Sequence, residues 1–157
     1  MREVEDAHFE WLLEPNPGRY EGMTVPPGGV DQPTILGHVR DIVRRLRAAN
    51  RRDGWMVVVD DEVVGLCSYK APPTDGAVEI GYGMAPSRWG RGYATAAVAA
   101  MLDVAQADPD VHVVVAETDP SNAASARVLE KNGFERVATR IDPKDGETIV
   151  WRKLVRG

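Results

Sequence analysis

A single cysteine, Cys67, stands in 157 residues, so no intramolecular disulfide can form, and none of the three histidines joins it at zinc-ligand spacing. These absences exclude a disulfide scaffold and give no support to a structural metal site; they fit a reducing compartment. A basic excess is missing as well. Nineteen Lys and Arg against twenty-four Asp and Glu leave a formal net charge of −5, which disfavours a general nucleic-acid or anionic-membrane binder. No run approaches the ~20 apolar residues of a membrane span. The opening Met1-Arg2-Glu3-Val4-Glu5-Asp6 is acidic where a signal peptide is basic and then apolar. We therefore expect an untargeted cytoplasmic chain without nucleic-acid or membrane partners, with a homodimer left open. Neither the Walker pattern G-x-x-x-x-G-K-[ST] nor the dinucleotide pattern G-x-G-x-x-G occurs.

What is present is enough for one core: 43% of the residues are hydrophobic and 27% charged, and residues 1–157 read as a single domain. Residues 14–33 hold five of the eleven prolines together with Gly18, Gly22, Gly28 and Gly29, a long loop that serves either as a substrate loop or as a surface connector. After Pro33, the apolar residues Ile35, Leu36, Val39, Ile42, Val43 and Leu46 recur at helical spacing. Arg40, Arg44, Arg45 and Arg47 interleave with them and read as a solvated helix face. Phe9, Leu12 and Leu13 around Trp11 suggest a shorter helix.

The pattern changes at Trp55. Two β-branched runs, 55–59 and 63–69, flank Asp60-Asp61 and predict an antiparallel hairpin. A third strand is expected over 77–84, an alanine-rich helix over 92–107 and a strand over 111–117. The continuous apolar run of that last strand predicts burial on both faces and a β-α-β unit with a parallel pair. A further helix spans about 121–132, with Asp119 or Ser121 as its cap, Pro120 in its first turn and Gly133 at its left-handed end. Two strands, 135–141 and 147–155, close a mixed α/β fold around the turn at 142–146.

Chemistry is most legible at Arg88-Trp89-Gly90-Arg91-Gly92-Tyr93-Ala94-Thr95, where a strand gives way to a helix. Gly90, Gly92 and Ala94 leave little side chain in the way, so successive backbone N–H groups can converge on an anion at the positive end of the helix. Arg88 and Arg91 add two cations suited to a ligand with several phosphates. Glycines that merely permit a tight turn are the plainer reading.

Glu79-Ile80-Gly81-Tyr82, Met84-Ala85-Pro86, Trp89 to Thr95, Glu117 to Ser125 and Val128 to Phe134 together resemble the GNAT superfamily of acyl-CoA-dependent N-acyltransferases, in particular its Rim-type ribosomal-protein N-terminal acetyltransferases. The resemblance covers about residues 55–155. It implies a central mixed, twisted sheet flanked by helices, with a splayed parallel strand pair ending near Met84 and Glu117. It implies acetyl-CoA as acyl donor and an amine as acceptor, with no metal. By the same likeness the coenzyme A diphosphate sits on the backbone of Arg91, Gly92, Tyr93, Ala94 and Thr95 beside Trp89 and Gly90. Its pantetheine arm lies in the splay against Tyr82 and Met84, with Asn122 and Ser125 on the other side. The strand's unpaired N–H and C=O groups would bond the pantetheine amides as an added strand does.

Two departures stand out. Trp89 occupies the position where the family signature has Gln or Arg. Leu129 stands where many relatives carry a Tyr that protonates the leaving thiolate, so the acid would be Ser125 or a water. A general base is expected because an amine is mostly protonated at neutral pH. Glu117 and Glu79 are both placed for it by the resemblance; as plain structural residues, Glu117 would be a strand-end carboxylate satisfied by backbone N–H groups and Glu79 a hydrogen-bond partner within the sheet. Cys67, in a β run, reads as a small hydrophobe. His8, His38 and His112 read as structural or exposed, and Trp55 and Trp151 as core or loop-anchoring aromatics. Trp11, beside the long loop, is core, anchors a loop or lines an acceptor pocket. The expected function is acetyl-CoA-dependent N-acetylation of a primary amine by direct attack in a ternary complex; a non-catalytic acyl-CoA sensor is the alternative.

Overall fold

The computed structural model describes residues 1–144 and 146–156, so Asp145 of the expected turn lies outside the described residues. The chain begins with β1 (Arg2–Glu3), α1 (Asp6–Leu12) and, after the long loop, α2 (Pro33–Ala48). Then come β2 (Gly54–Val59), β3 (Glu62–Tyr69), β4 (Ala77–Met84), a 3-10 turn (Pro86–Arg88), α3 (Tyr93–Ala107) and β5 (Val113–Thr118). It ends with α4 (Ala123–Lys131), β6 (Glu135–Asp142) and β7 (Gly146–Leu154). The seven strands form one sheet in the order β1-β2-β3-β4-β5-β7-β6, antiparallel everywhere except between β4 and β5.

Local chemistry accounts for most of these boundaries. Asp60 and Asp61 both take positive φ, +49° and +61°, the two-residue turn whose twist suits the β2–β3 hairpin. Pro33 opens α2, whose last turn carries Arg45 and Arg47 at the negative end of the helix dipole. At the end of α4, Gly133 sits at φ +80°, Phe134 N–H donates to Leu129 O at 3.0 Å and Gly133 N–H to Glu130 O at 3.0 Å. That double closure is the Schellman arrangement. It buries Phe134 in the core.

Three sequence expectations need correction. The cap of α4 is Asn122, whose Oδ1 accepts from Ser125 N–H at 3.0 Å; Asp119 accepts from Ser121 instead, and Pro120 lies ahead of the helix. On β5 only Val114, Ala116 and Thr118 are buried, while Val113, Val115 and Glu117 are half-buried, so the strand has one buried face, and Glu117 at the end of the other lines a polar cleft. The arginine face of α2 is only partly solvated: Arg44 and Arg45 are exposed, whereas Arg40 and Arg47 are half-buried. Arg40 and Arg44 reach Asp6 of α1 at 2.6 and 3.0 Å, and Arg47 reaches Glu3 at 2.9 Å. Hydrogen bonds from Arg40 foremost hold the Asp6 carboxyl well below the usual carboxylate range. The acidic N-terminal segment thereby pins α2.

Two apolar clusters sandwich the sheet. One joins Val78, Ile80, Val98, Met101, Leu129, Phe134 and Trp151 under α3 and α4; the other joins Val4, Phe9, Leu36, Val43, Met56 and Leu66 under α1 and α2. Between β4 and β5 the sheet opens. Ala77, Val78 and Glu79 pair with Val113, Val114 and Val115, and there the pairing ends. Beyond that point β4 stays bonded to β3 as far as Met84, and β5 to β7 as far as Thr118, so each strand keeps its outer neighbour while the inner edges part.

Candidate active site

A cavity of about 570 Å³ lies between the end of β4, the first turn of α3 and α4. Every residue that the sequence assigned to cofactor contact lines it: Tyr82, Met84, Trp89, Gly90, Arg91, Gly92, Tyr93, Ala94, Thr95, Asn122 and Ser125. Gly90 and Gly92 both sit at φ +78°, and a Cβ on either would project into open space. Among the described residues, nothing accepts a hydrogen bond from the backbone N–H groups of residues 90–95, so an uninterrupted set of donors stands at the helix N-terminus. Asn132 secures this geometry by donating from Nδ2 to both Thr95 O (3.2 Å) and Val128 O (2.9 Å), which ties α3 to α4.

The cations around the cavity differ from the sequence expectation. Arg88 is held by Glu62 at 2.6 and 2.9 Å, so it is not available as a free charge; that bond also holds the Glu62 carboxyl below its ordinary value. Arg91, Arg127 and Lys131 line the cavity without an ion-pair partner among the described residues. Arg127 and Lys131 escaped the sequence reading, although their i, i+4 spacing on α4 was there to be seen. Trp89 is 69% exposed, yet its Nε1 donates to Met84 O at 2.8 Å. One carbonyl of the β4 end, expected to be unpaired, therefore has a partner.

Hydrogen bonds from Lys70 N–H to Glu79 O and from Ala85 N–H to Val64 O turn the odd-numbered residues of β4 toward β3. By strand alternation the N–H and C=O groups of Tyr82 point to the parted edge. The Tyr82 hydroxyl and Ser125 Oγ share a hydrogen bond at 2.6 Å across the cavity. Burial raises the Tyr82 phenol above its ordinary pKa, against the opposing effect of the Ser125 bond.

Glu79 and Glu117 do not line this cavity. They meet in a polar cleft of about 450 Å³ with Lys70, Thr118, Asp119, Arg140, Asp142 and Thr148. Arg140 grips Glu117 with two nitrogens at 2.9 and 3.0 Å, and Thr148 Oγ1 donates to the same carboxylate at 2.7 Å. Burial pushes the Glu117 carboxyl upward, but these bonds prevail and hold it below the usual range. Side chains, not the expected backbone N–H groups, thus satisfy Glu117. Glu79 pairs with Lys70 at 3.1 Å. The sequence missed Arg140, Lys70 and Thr148, because cross-strand partners depend on register.

The family model described as an acetyltransferase (GNAT) domain matches residues 1–135. The chain belongs to the GNAT acetyltransferase family. An uncharacterized N-acetyltransferase, p20 of Bacillus licheniformis, is 26% identical over 142 residues, covering 85% of this chain and 76% of that protein. Among solved structures, RimL, the ribosomal L7/L12 α-N-protein acetyltransferase in complex with coenzyme A, superposes with a TM-score of 0.69 at 17% identity, covering 98% of this chain and 92% of that one. The aminoglycoside acetyltransferase AAC(6')-Ib, in complex with coenzyme A and kanamycin, gives 0.66 at 21%, covering 98% and 92%. At these identities the likeness to the solved structures is one of fold.

Within this GNAT protein, Leu129 is fully buried in the core and does not line the cavity. Trp11 is buried too, donating from Nε1 to Gly18 O at 2.8 Å and stacked on Tyr20, so it anchors the long loop rather than lining either opening. That loop reaches the cavity at its far end through Asp31, opposite Gly83. Cys67 is buried, and burial pushes its thiol up to about 12. His8 is buried between Glu5 N–H and Glu21, while His38 and His112 are exposed. Among the described residues no group of three or more His, Cys, Asp or Glu could hold a metal ion, and no helix is long and apolar enough to cross a membrane.

Proposed function

We propose that this enzyme transfers an acetyl group from acetyl-CoA directly to a primary amine of a small molecule or peptide while both substrates are bound. The observation that carries the reading is the opening between β4 and β5, with charge of opposite sign gathered on its two sides. Arg91, Arg127 and Lys131 line the cavity on the helix side, whereas the cleft holding Glu79 and Glu117 carries four carboxylates against two cations. The first environment suits a polyphosphate, and the second an amine that arrives protonated.

The donor fits the residues present. Backbone N–H groups of residues 90–95, aided by Arg91 and Lys131, would hold the diphosphate, and the glycines leave it room. Tyr82, through its inward-facing backbone groups, would bond the pantetheine amides as an added strand. The bound thioester supplies an activated acyl group. Glu117, or Glu79 if Glu117 stays locked to Arg140, would take a proton from the amine directly or through water. Ser125 would give a proton to the departing thiolate. With Tyr82 as the donor in their shared bond, Ser125 keeps its own O–H for the cavity.

The test is free-thiol release from acetyl-CoA by the purified protein across a panel of amines and peptides. Turnover above the no-acceptor control is expected. Tight coenzyme A binding without turnover on a broad panel would instead favour the sensor reading.

A further inference from the structure

Of the four lysines in the sequence, one lines the cleft that holds both candidate bases. Lys70 follows β3 directly, and its N–H donates to Glu79 O at 2.8 Å, which sets it opposite Glu79. Its stem then crosses Gly81. A Cβ at Gly81 would come within 3.1 Å of Lys70 Cε, so the bare backbone there leaves the path along β4 open. Nζ ends 3.1 Å from Glu79 Oε2. Glu79 is the last residue of β4 that pairs with β5, and the amine therefore rests at the apex of the opening. Its side chain is 45% exposed.

From this placement we infer that Lys70 is itself an acyl acceptor and that the enzyme acetylates its own Lys70 Nζ; the inference rests on the acetyl-transfer reading above. The ammonium first gives a proton to Glu79. Nζ then forms a C–N bond to the acyl carbon as the thioester C–S bond breaks, and a second proton from nitrogen ends on sulfur. The products are Nε-acetyl-lysine and free coenzyme A thiol. An amine tethered beside the acyl group acts at a high effective concentration, and a lysine in open solvent does not. Acetylation also removes one of the two cations of the cleft and leaves Glu79 without its ion pair.

The experiment incubates the full chain with acetyl-CoA, without added acceptor, and follows acetyl content by intact mass and peptide mapping. The same preparation is run in parallel on the amine panel. Lys70 should gain acetyl at least about tenfold faster than Lys144 or Lys153, at a rate independent of protein concentration. Excess free coenzyme A should suppress the labelling. Lys70→Arg should abolish the fast phase while retaining the wild-type melting temperature. Equal labelling of the lysines, insensitivity to coenzyme A, or an unmodified Lys70 would each overturn the inference, and panel turnover in the same preparation would leave the acetyltransferase reading standing. Absence of both labelling and panel turnover would overturn the two together.

Discussion

Arg140 of β6 holds Glu117 of β5 through two guanidinium nitrogens, Nε on Oε1 and Nη2 on Oε2. A carboxylate so held is a weak base, because its pKa sits below the usual range. Its contribution to stability is present above the ordinary carboxylate pKa and fades as pH falls through the lowered value. Arg140→Ala should release Glu117 and let burial raise its pKa. If Glu117 is the base, the acid limb of the rate profile moves to higher pH in that variant. A limb that stays in place assigns the proton to another group.

Glu117→Gln should depress the rate at neutral pH far more than donor affinity, with partial recovery at higher pH as the amine deprotonates itself. An unchanged rate would remove Glu117 and promote Glu79. Steady-state kinetics with pH decides between them.

Tyr82 and Ser125 share one hydrogen bond, so they should behave as a unit. Tyr82→Phe is expected to lower kcat by about tenfold with little change in donor KM, on the scale of one lost hydrogen bond. Ser125→Ala should cost at least as much, and the double variant little more than Ser125→Ala. Fully additive losses would show that the two hydroxyls act separately.

Gly92→Val adds a side chain to the open space of the cradle at φ +78°. Backbone strain of roughly 1–2 kcal/mol should lower the melting temperature by a few degrees. Coenzyme A affinity, measured by calorimetric titration, should fall much further than stability does. Wild-type affinity in a folded variant would remove this bend as the diphosphate site.

Asp6→Asn takes away the shared partner of Arg40 and Arg44. Half-exposed pairs of this kind contribute about 1 kcal/mol or less. The folded pKa of Asp6 is depressed, so the stability gap between wild type and variant should be full at neutral pH and close as pH drops below about 4. Thermal melts across that interval check it.

Much of the framework was legible from neighbouring residues alone. The Asp60-Asp61 turn, Gly133 with Phe134, and Pro33 each act through dihedrals or hydrogen bonds a few positions apart, and their elements stand where the sequence put them. Boundaries slipped where two cap residues competed, as Asn122 did with Asp119 and Ser121. The apolar run of β5 misled because the valines at alternate positions, Val113 and Val115, are only half-buried, and an apolar run does not say whether a second layer covers that face.

By itself, then, the sequence determined the glycine-bearing bend and the run of donors that follows it, since backbone freedom and helix polarity are local properties. Tertiary structure alone decided that Arg140 would lie on Glu117, Lys70 on Glu79 and the Trp89 indole on Met84 O. The first two contacts follow from strand register, and the third from the turn that folds Trp89 back over the end of β4. Charge and hydrogen-bonding capacity were written along the chain, but the separation that turns them into pairs is fixed only when the sheet is assembled.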